Sequence, residues 1–231
     1  MSSSPILGVE ERADHEAGHL AAALITADQY GFVCLPQFAT VETRVHSGGS
    51  TGFRWVDEKT REWVKQEDLP FQYAACYIYA GFAAQWAGLD ARLQHDLSDD
   101  EITRLRRLAD DDFSQVERMK SYSPDEGKSA LNEAFKFVKE HRSIITGLSF
   151  YLQENVSMFG DESKVIYRLL GTQMNDEEGE RTRQHLAHYR NSRRTLAPPE
   201  EWSHGETKEH PAGQFYEGYG SWSKREMSSP V

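Results

Sequence analysis

The sequence predicts a mainly α-helical protein with one small β-hairpin, and three observations support this. Apolar residues recur with helical spacing over most of residues 9–170. Alternation of apolar and polar residues is confined to one stretch between residues 40 and 56. The most apolar window, Tyr73–Leu89, has only 17 residues and includes a glutamine and three tyrosines. A bilayer span needs about 20 apolar residues, so this window indicates a buried core helix.

The N-terminal part is predicted to be one helix followed by the hairpin. The helix covers residues 9–27, with alanines and leucines on one side. The hairpin strands are residues 40–46 and 51–56, and the flexible sequence Ser-Gly-Gly-Ser at 47–50 joins them.

A buried helix is predicted over residues 71–88, directly after Pro70. Small residues repeat at every fourth position of this helix: Ala80, Ala84 and Gly88. Such a stripe allows a second helix to approach closely, so we expect a tight helix pair here.

The second half is predicted to consist of further helices. An amphipathic helix at 98–109 directs Ile102, Leu105 and Leu108 inward, and the acidic triplet 110–112 caps the start of another helix. The remaining helices are predicted at 124–141, 142–155 and 161–170. We therefore assign residues 1–171 to one domain, 172–195 to a polar helix and 196–231 to a flexible or disordered tail.

Charge and cysteine content exclude several classes of function. The net charge is −11 and the pI is about 5.3, which disfavours nucleic acid and anionic membranes as partners. Two distant cysteines, Cys34 and Cys76, form neither a disulfide scaffold nor a thiolate zinc cluster. The N-terminus does not have the pattern of a signal peptide. We expect a soluble, cytoplasmic protein.

One motif carries chemistry, and it lies on the first predicted helix. Residues 15–19 read His-Glu-Ala-Gly-His, which is an HExxH motif. His15 and His19 are four residues apart on a helix, so both imidazoles can reach one metal ion, with zinc the best match. Glu16 lies beside them and can take a proton from the attacking water. A catalytic zinc needs a third protein ligand, and the acidic triplet 110–112 is the best source.

Several blocks of the sequence resemble the peptidase domain of the FtsH family of zinc metalloproteases. His-Glu-Ala-Gly-His at 15–19 is identical to the zinc motif of that family. Thr51-Gly52-Phe53 resembles the strand beside the active site of the family. Residues 80–85 resemble its Gly-Gly-Arg-Ala-Ala-Glu helix, and residues 112–116 resemble its Asp-Leu-x-x-Ala step. The resemblance covers about residues 10–171.

The resemblance implies a helical zinc metallopeptidase domain with His15, His19 and Asp112 as ligands. Asp96 and Asp111 are the alternatives for the third ligand, and Asp112 is preferred because an apolar helical turn follows it. Phe82 and Gln85 stand where the family has arginine and glutamate. The family also carries an ATPase module, whereas these 231 residues contain no GxxxxGK[ST] nucleotide motif.

Two functions therefore compete. The first is an ATP-independent zinc endopeptidase with Glu16 as its catalytic base, acting on peptides or unfolded proteins. An extended substrate would add beside Thr51–Val56 as a further strand. The alternative is a non-catalytic, zinc-containing module of the same fold that binds or regulates a partner. The sequence leaves the physiological substrate and the oligomeric state open.

Overall fold

Helices dominate the structure, and a small antiparallel sheet lies beside them. The computed structural model describes residues 8–41, 49–93, 96–155, 157–159 and 162. These residues form six α-helices: α1 Val9–Thr26, α2 Phe71–Leu93, α3 Asp99–Leu108, α4 Asp110–Glu117, α5 Pro124–Glu140 and α6 Arg142–Asn155. The prediction of a mainly helical protein is confirmed. The predicted helix at 161–170, the polar helix and the tail lie outside the described residues, except for Glu162.

The sheet consists of four strands in the order β3-β2-β1-β4. The strands are β1 Phe32–Val41, β2 Gly49–Asp57, β3 Glu62–Val64 and β4 Ser157–Phe159. Strands β1 and β2 pair along their whole length, whereas β3 and β4 each pair over three residues. The predicted hairpin is therefore present, with two short strands added at its sides.

The position predicted for the first hairpin strand was wrong. The strand begins at Phe32 and ends at Val41, whereas the sequence indicated residues 40–46. The register shifts between Pro36 and Phe38, and this bulge interrupts the alternation that would have identified the strand. Gly49 and Ser50, predicted to lie in the turn, belong to β2. Residues 42–48, which connect the strands, lie outside the described part.

The core forms where α1 packs against α2, with α5 and α6 closing the other sides. The prediction that a second helix closely approaches the small-residue stripe of α2 is confirmed, and that helix is α1. A Cβ atom at Gly18 would lie 2.7 Å from Ala84 Cβ and 2.8 Å from the Ala80 carbonyl carbon. The two backbones therefore come together at the middle of the HExxH motif.

The predicted inward-facing residues of the second half differ in burial: three are buried, Ile102 is half-buried and Leu108 is exposed. Leu105 of α3 and Phe113 and Val116 of α4 belong to the core. Leu108 is 43% exposed, which contradicts the prediction that it faces inward. Helix α3 ends at Leu108 and α4 starts two residues later, so the chain turns before this side chain can pack. No described helix is long and apolar enough to cross a membrane.

Candidate metal centre

The two histidines of the motif meet at one point on the face of α1 that packs against α2. His15 Nε2 and His19 Nε2 lie 3.0 Å apart, and the two rings meet edge to face. Side chains four residues apart share one face of a helix, so the motif places both imidazoles as the sequence predicts. Both nitrogens can bind a single ion.

Asp112 completes the cluster from the first turn of α4. Its Oδ2 atom lies 3.1 Å from His15 Nε2 and 3.6 Å from His19 Nε2. The ligand atoms of the three residues lie within 4.8 Å of one another. Asp96 and Asp111 are both exposed, although Asp111 lies at the rim of the same cleft. Of the three candidate aspartates, the structure therefore brings Asp112 to the histidines.

An aromatic cluster anchors the helix that carries Asp112. The next residue, Phe113, packs its ring 4.8 Å from that of Tyr79 and 5.2 Å from that of Phe82. The guanidinium of Arg106 covers the same ring at 3.3 Å from its centre. Phe82 thus supports the turn that holds Asp112.

Helix α2 orients both imidazoles through their outer nitrogens. His19 Nδ1 donates to the Tyr77 carbonyl oxygen at 2.9 Å, and His15 Nδ1 lies 3.3 Å from Gln85 Oε1. A carbonyl oxygen can only accept, so these contacts place the ring protons on Nδ1 and leave the Nε2 lone pairs for a metal. Gly81 lies between them, where a Cβ would come 2.5 Å from His19 Nε2 and 3.0 Å from His15 Nε2.

The electrostatics of the cluster fit a cation. Asp112 Oδ2 is buried and has no hydrogen-bond partner of good geometry among the described residues. A buried carboxylate oxygen without a well-aligned donor is costly, and a bound metal ion would remove that cost. Two imidazole nitrogens and one carboxylate oxygen are also the donor set that zinc prefers in open sites.

Without a metal, the cluster binds a proton instead. Burial lowers the pKa of His15, but the adjacent Asp112 carboxylate outweighs this effect and raises that pKa to about 9. Burial raises the pKa of Asp112, yet the two imidazoles hold it below its usual value. A metal ion must therefore displace the His15 proton when it binds.

Glu16 points from α1 towards strand β2. Its side chain is almost fully buried, and Thr51 Oγ1 donates a hydrogen bond to its Oε2 atom. Burial raises the pKa of Glu16, whereas the neighbouring imidazoles and Thr51 oppose the rise. The carboxylate therefore lies beside the cluster in a place where its affinity for a proton is enhanced.

The cluster lies in a cleft of about 500 Å³ between the helices and β2. Phe53, Tyr77 and Ile78 supply apolar walls. The expected free edge at Thr51–Val56 needs correction, because β3 pairs with β2 at Trp55, Val56 and Asp57. Among the described residues, the outer edge of β2 is unpaired only over 49–54.

The contacts made by Thr51, Gln85 and the Tyr77 carbonyl were not predicted from the sequence. Thr51 and Gln85 stood within blocks that resemble the FtsH family, but nothing local indicates which atoms they touch. A search against known protein families found no match to this chain, and a search of curated proteins found none either.

Proposed function

We propose that this protein is a zinc-dependent metallopeptidase that hydrolyses peptide bonds without ATP. The observation that carries the proposal is the convergence of His15 Nε2, His19 Nε2 and Asp112 Oδ2. The buried carboxylate of Glu16, the residue after His15, lines the same cleft. The FtsH-like pattern of the sequence supports the same assignment.

The cluster would hold zinc through two histidines and one aspartate, which leaves a coordination position for water or substrate. When bound, zinc would polarise the scissile carbonyl and lower the pKa of a coordinated water. The Tyr77 carbonyl and Gln85 would keep the two imidazoles in the orientation that this requires.

Glu16 would act as the general base. Its carboxylate takes a proton from the attacking water and passes it to the nitrogen of the leaving amine. A base works best when its pKa is close to the operating pH, and burial moves the pKa of Glu16 upward in that direction.

The proposed substrate is an extended segment of a peptide or an unfolded protein. Such a segment can pair with the unpaired outer edge of β2 at residues 49–54, because backbone groups there lack a strand partner in the described part of the fold. We expect no nucleotide requirement, since the 231 residues contain no GxxxxGK[ST] motif.

Metal analysis and peptidase assays of two variants test the proposal. Glu16→Gln preserves the shape and all three metal ligands, so zinc should remain bound while casein hydrolysis falls by about 10²–10⁴-fold. Asp112→Asn should weaken zinc binding far more than the exposed controls Asp96→Asn and Asp111→Asn.

Two results would contradict the proposal. Full metal occupancy in both His15→Ala and His19→Ala would exclude the centre. Wild-type protein that binds zinc but cleaves no member of a broad peptide library, with Glu16→Gln indistinguishable from it, would favour the non-catalytic binding module.

A further inference from the structure

Glu16 is held by strand β2 as well as by its own helix. The residue belongs to α1, yet its carboxylate meets two residues of β2 that lie more than thirty positions further along the chain. Thr51 Oγ1 donates to Glu16 Oε2, and this is a direct side-chain contact between the strand and the carboxylate.

Gly49 leaves the space that this arrangement needs. A Cβ at Gly49 would lie 2.6 Å from Glu16 Cγ and 2.8 Å from Glu16 Cδ, which is closer than a real side chain permits. Residues two apart on a strand face the same side, so Gly49 and Thr51 both face Glu16. Gly49 provides room for the Glu16 carboxylate, and Thr51 fixes its position by a hydrogen bond.

The same strand carries the free edge at which a peptide would pair. A glutamate side chain has three rotatable bonds and loses rotamer freedom when it is fixed. The Thr51 hydroxyl, which donates to a charged acceptor, provides a contact strong enough to oppose that loss. The base is thereby fixed relative to the strand that binds substrate, and not only relative to the metal helix.

We propose that Thr51 is a positioning residue for the general base and aligns the Glu16 carboxylate with a peptide held at the outer edge of β2. This inference rests on the proposed peptidase function and assigns a role to a residue outside the group of metal-ligand candidates His15, His19 and Asp112.

Steady-state kinetics of Thr51→Val and Thr51→Ser test the role. Valine keeps the shape and the strand preference but lacks the hydroxyl, so kcat should fall by about 10–100-fold with KM unchanged, as expected for a misplaced catalytic group. Serine retains the hydroxyl, so Thr51→Ser should keep most of the wild-type kcat. Thr40→Val on the neighbouring strand makes the same chemical change at a residue that does not line the cleft, and it should have no such effect.

A change in KM with kcat intact would overturn the proposal, because it would indicate that Thr51 supports only the strand that binds substrate. Equal activity of wild type and Thr51→Val would overturn it as well.

A double-mutant cycle on stability gives a readout that does not need peptidase activity. Thr51→Val, Glu16→Met and the double variant are unfolded in urea as metal-free proteins. A hydrogen bond to a charged group predicts coupling of about 10-fold or more in the unfolding constant. Additive effects would overturn the Thr51 proposal alone. Coupling without any wild-type hydrolysis would instead overturn the peptidase assignment and the positioning role of Thr51 that depends on it.

Discussion

The two histidine ligands differ in what holds their outer nitrogens. His19 bonds to a backbone carbonyl, which no substitution removes, whereas His15 depends on the side chain of Gln85. Gln85 is almost fully buried, and a substitution that removes its amide oxygen takes this acceptor away from His15 Nδ1. A substitution can therefore remove the contact that orients His15, but not the backbone contact that orients His19.

Gln85→Met should weaken zinc binding by about 10–100-fold, because methionine has a similar length but does not provide the strong acceptor for His15 Nδ1. Competition with a chromophoric chelator measures the affinity. Gln72→Met, at a half-buried position of the same helix away from the cleft, is the control and should bind zinc as the wild type does. Equal affinities of the two variants would show that Gln85 does not orient His15.

At the scale of elements, the site depends on how closely α2 approaches α1. Gly81 lies directly against both imidazoles, so the separation of the helices is set by the absence of a side chain there. A methyl group at this position must move α2, His15 or His19, and the ring contacts to Tyr77 and Gln85 would change with it.

Gly81→Ala should therefore reduce zinc affinity by more than its effect on folding explains. Overpacking of this kind costs about 1–3 kcal/mol in stability. Gly127→Ala in α5 provides a matched control, because its Cβ would come 2.7 Å from a ring carbon of Tyr122, away from the cleft. Urea unfolding and zinc titration of both variants separate the effects. An equal loss of zinc affinity in the two would contradict the prediction.

The helices were easier to predict than the strands. Ser98 and Ser123 each accept a bond from the backbone N–H three residues later, and these local caps mark where α3 and α5 begin. Strand β1 lacks such a signal, because Pro36 and the bulge beside it break the alternation. The three-residue strands β3 and β4 are too short for any period and exist only through pairing with their neighbours.

The residues of the site could be predicted from the sequence where neighbouring positions carry the chemistry. Glu16 and the two histidines follow from five consecutive residues, whereas Asp112 was preferred over Asp96 and Asp111 through the resemblance to the FtsH family and the apolar helical turn that follows it. The contacts of Thr51 and Gln85 depend on how the sheet and α2 pack against α1, and sequence spacing does not encode that packing. The position of Leu108 was wrong for the same reason, since burial is decided by the turn between two helices.

For the whole molecule, the proton on His15 predicts how stability changes with pH in the metal-free protein. The pKa of His15 rises from 6.5 to about 9 on folding. The contribution of the His15–Asp112 pair to the free energy of unfolding is therefore complete below pH 6.5 and is lost as pH rises through about 9. The slope should reach at most about 1.4 kcal/mol per pH unit. Urea unfolding across this range measures it, and Asp112→Asn should flatten the profile. Identical pH profiles of stability for the wild type and Asp112→Asn would show that the slope does not come from the His15–Asp112 pair.

The ligands of the cluster come from distant parts of the chain. An ion shared by α1 and α4 would close a loop of roughly 100 residues, and closing a loop of that length removes much of the conformational freedom of the unfolded chain. The unfolded chain would keep only the local histidine pair, with Asp112 no longer held beside it. Zinc affinity would thus depend on the chain being folded, and chelation would destabilise the whole protein by more than the lost contacts of three side chains.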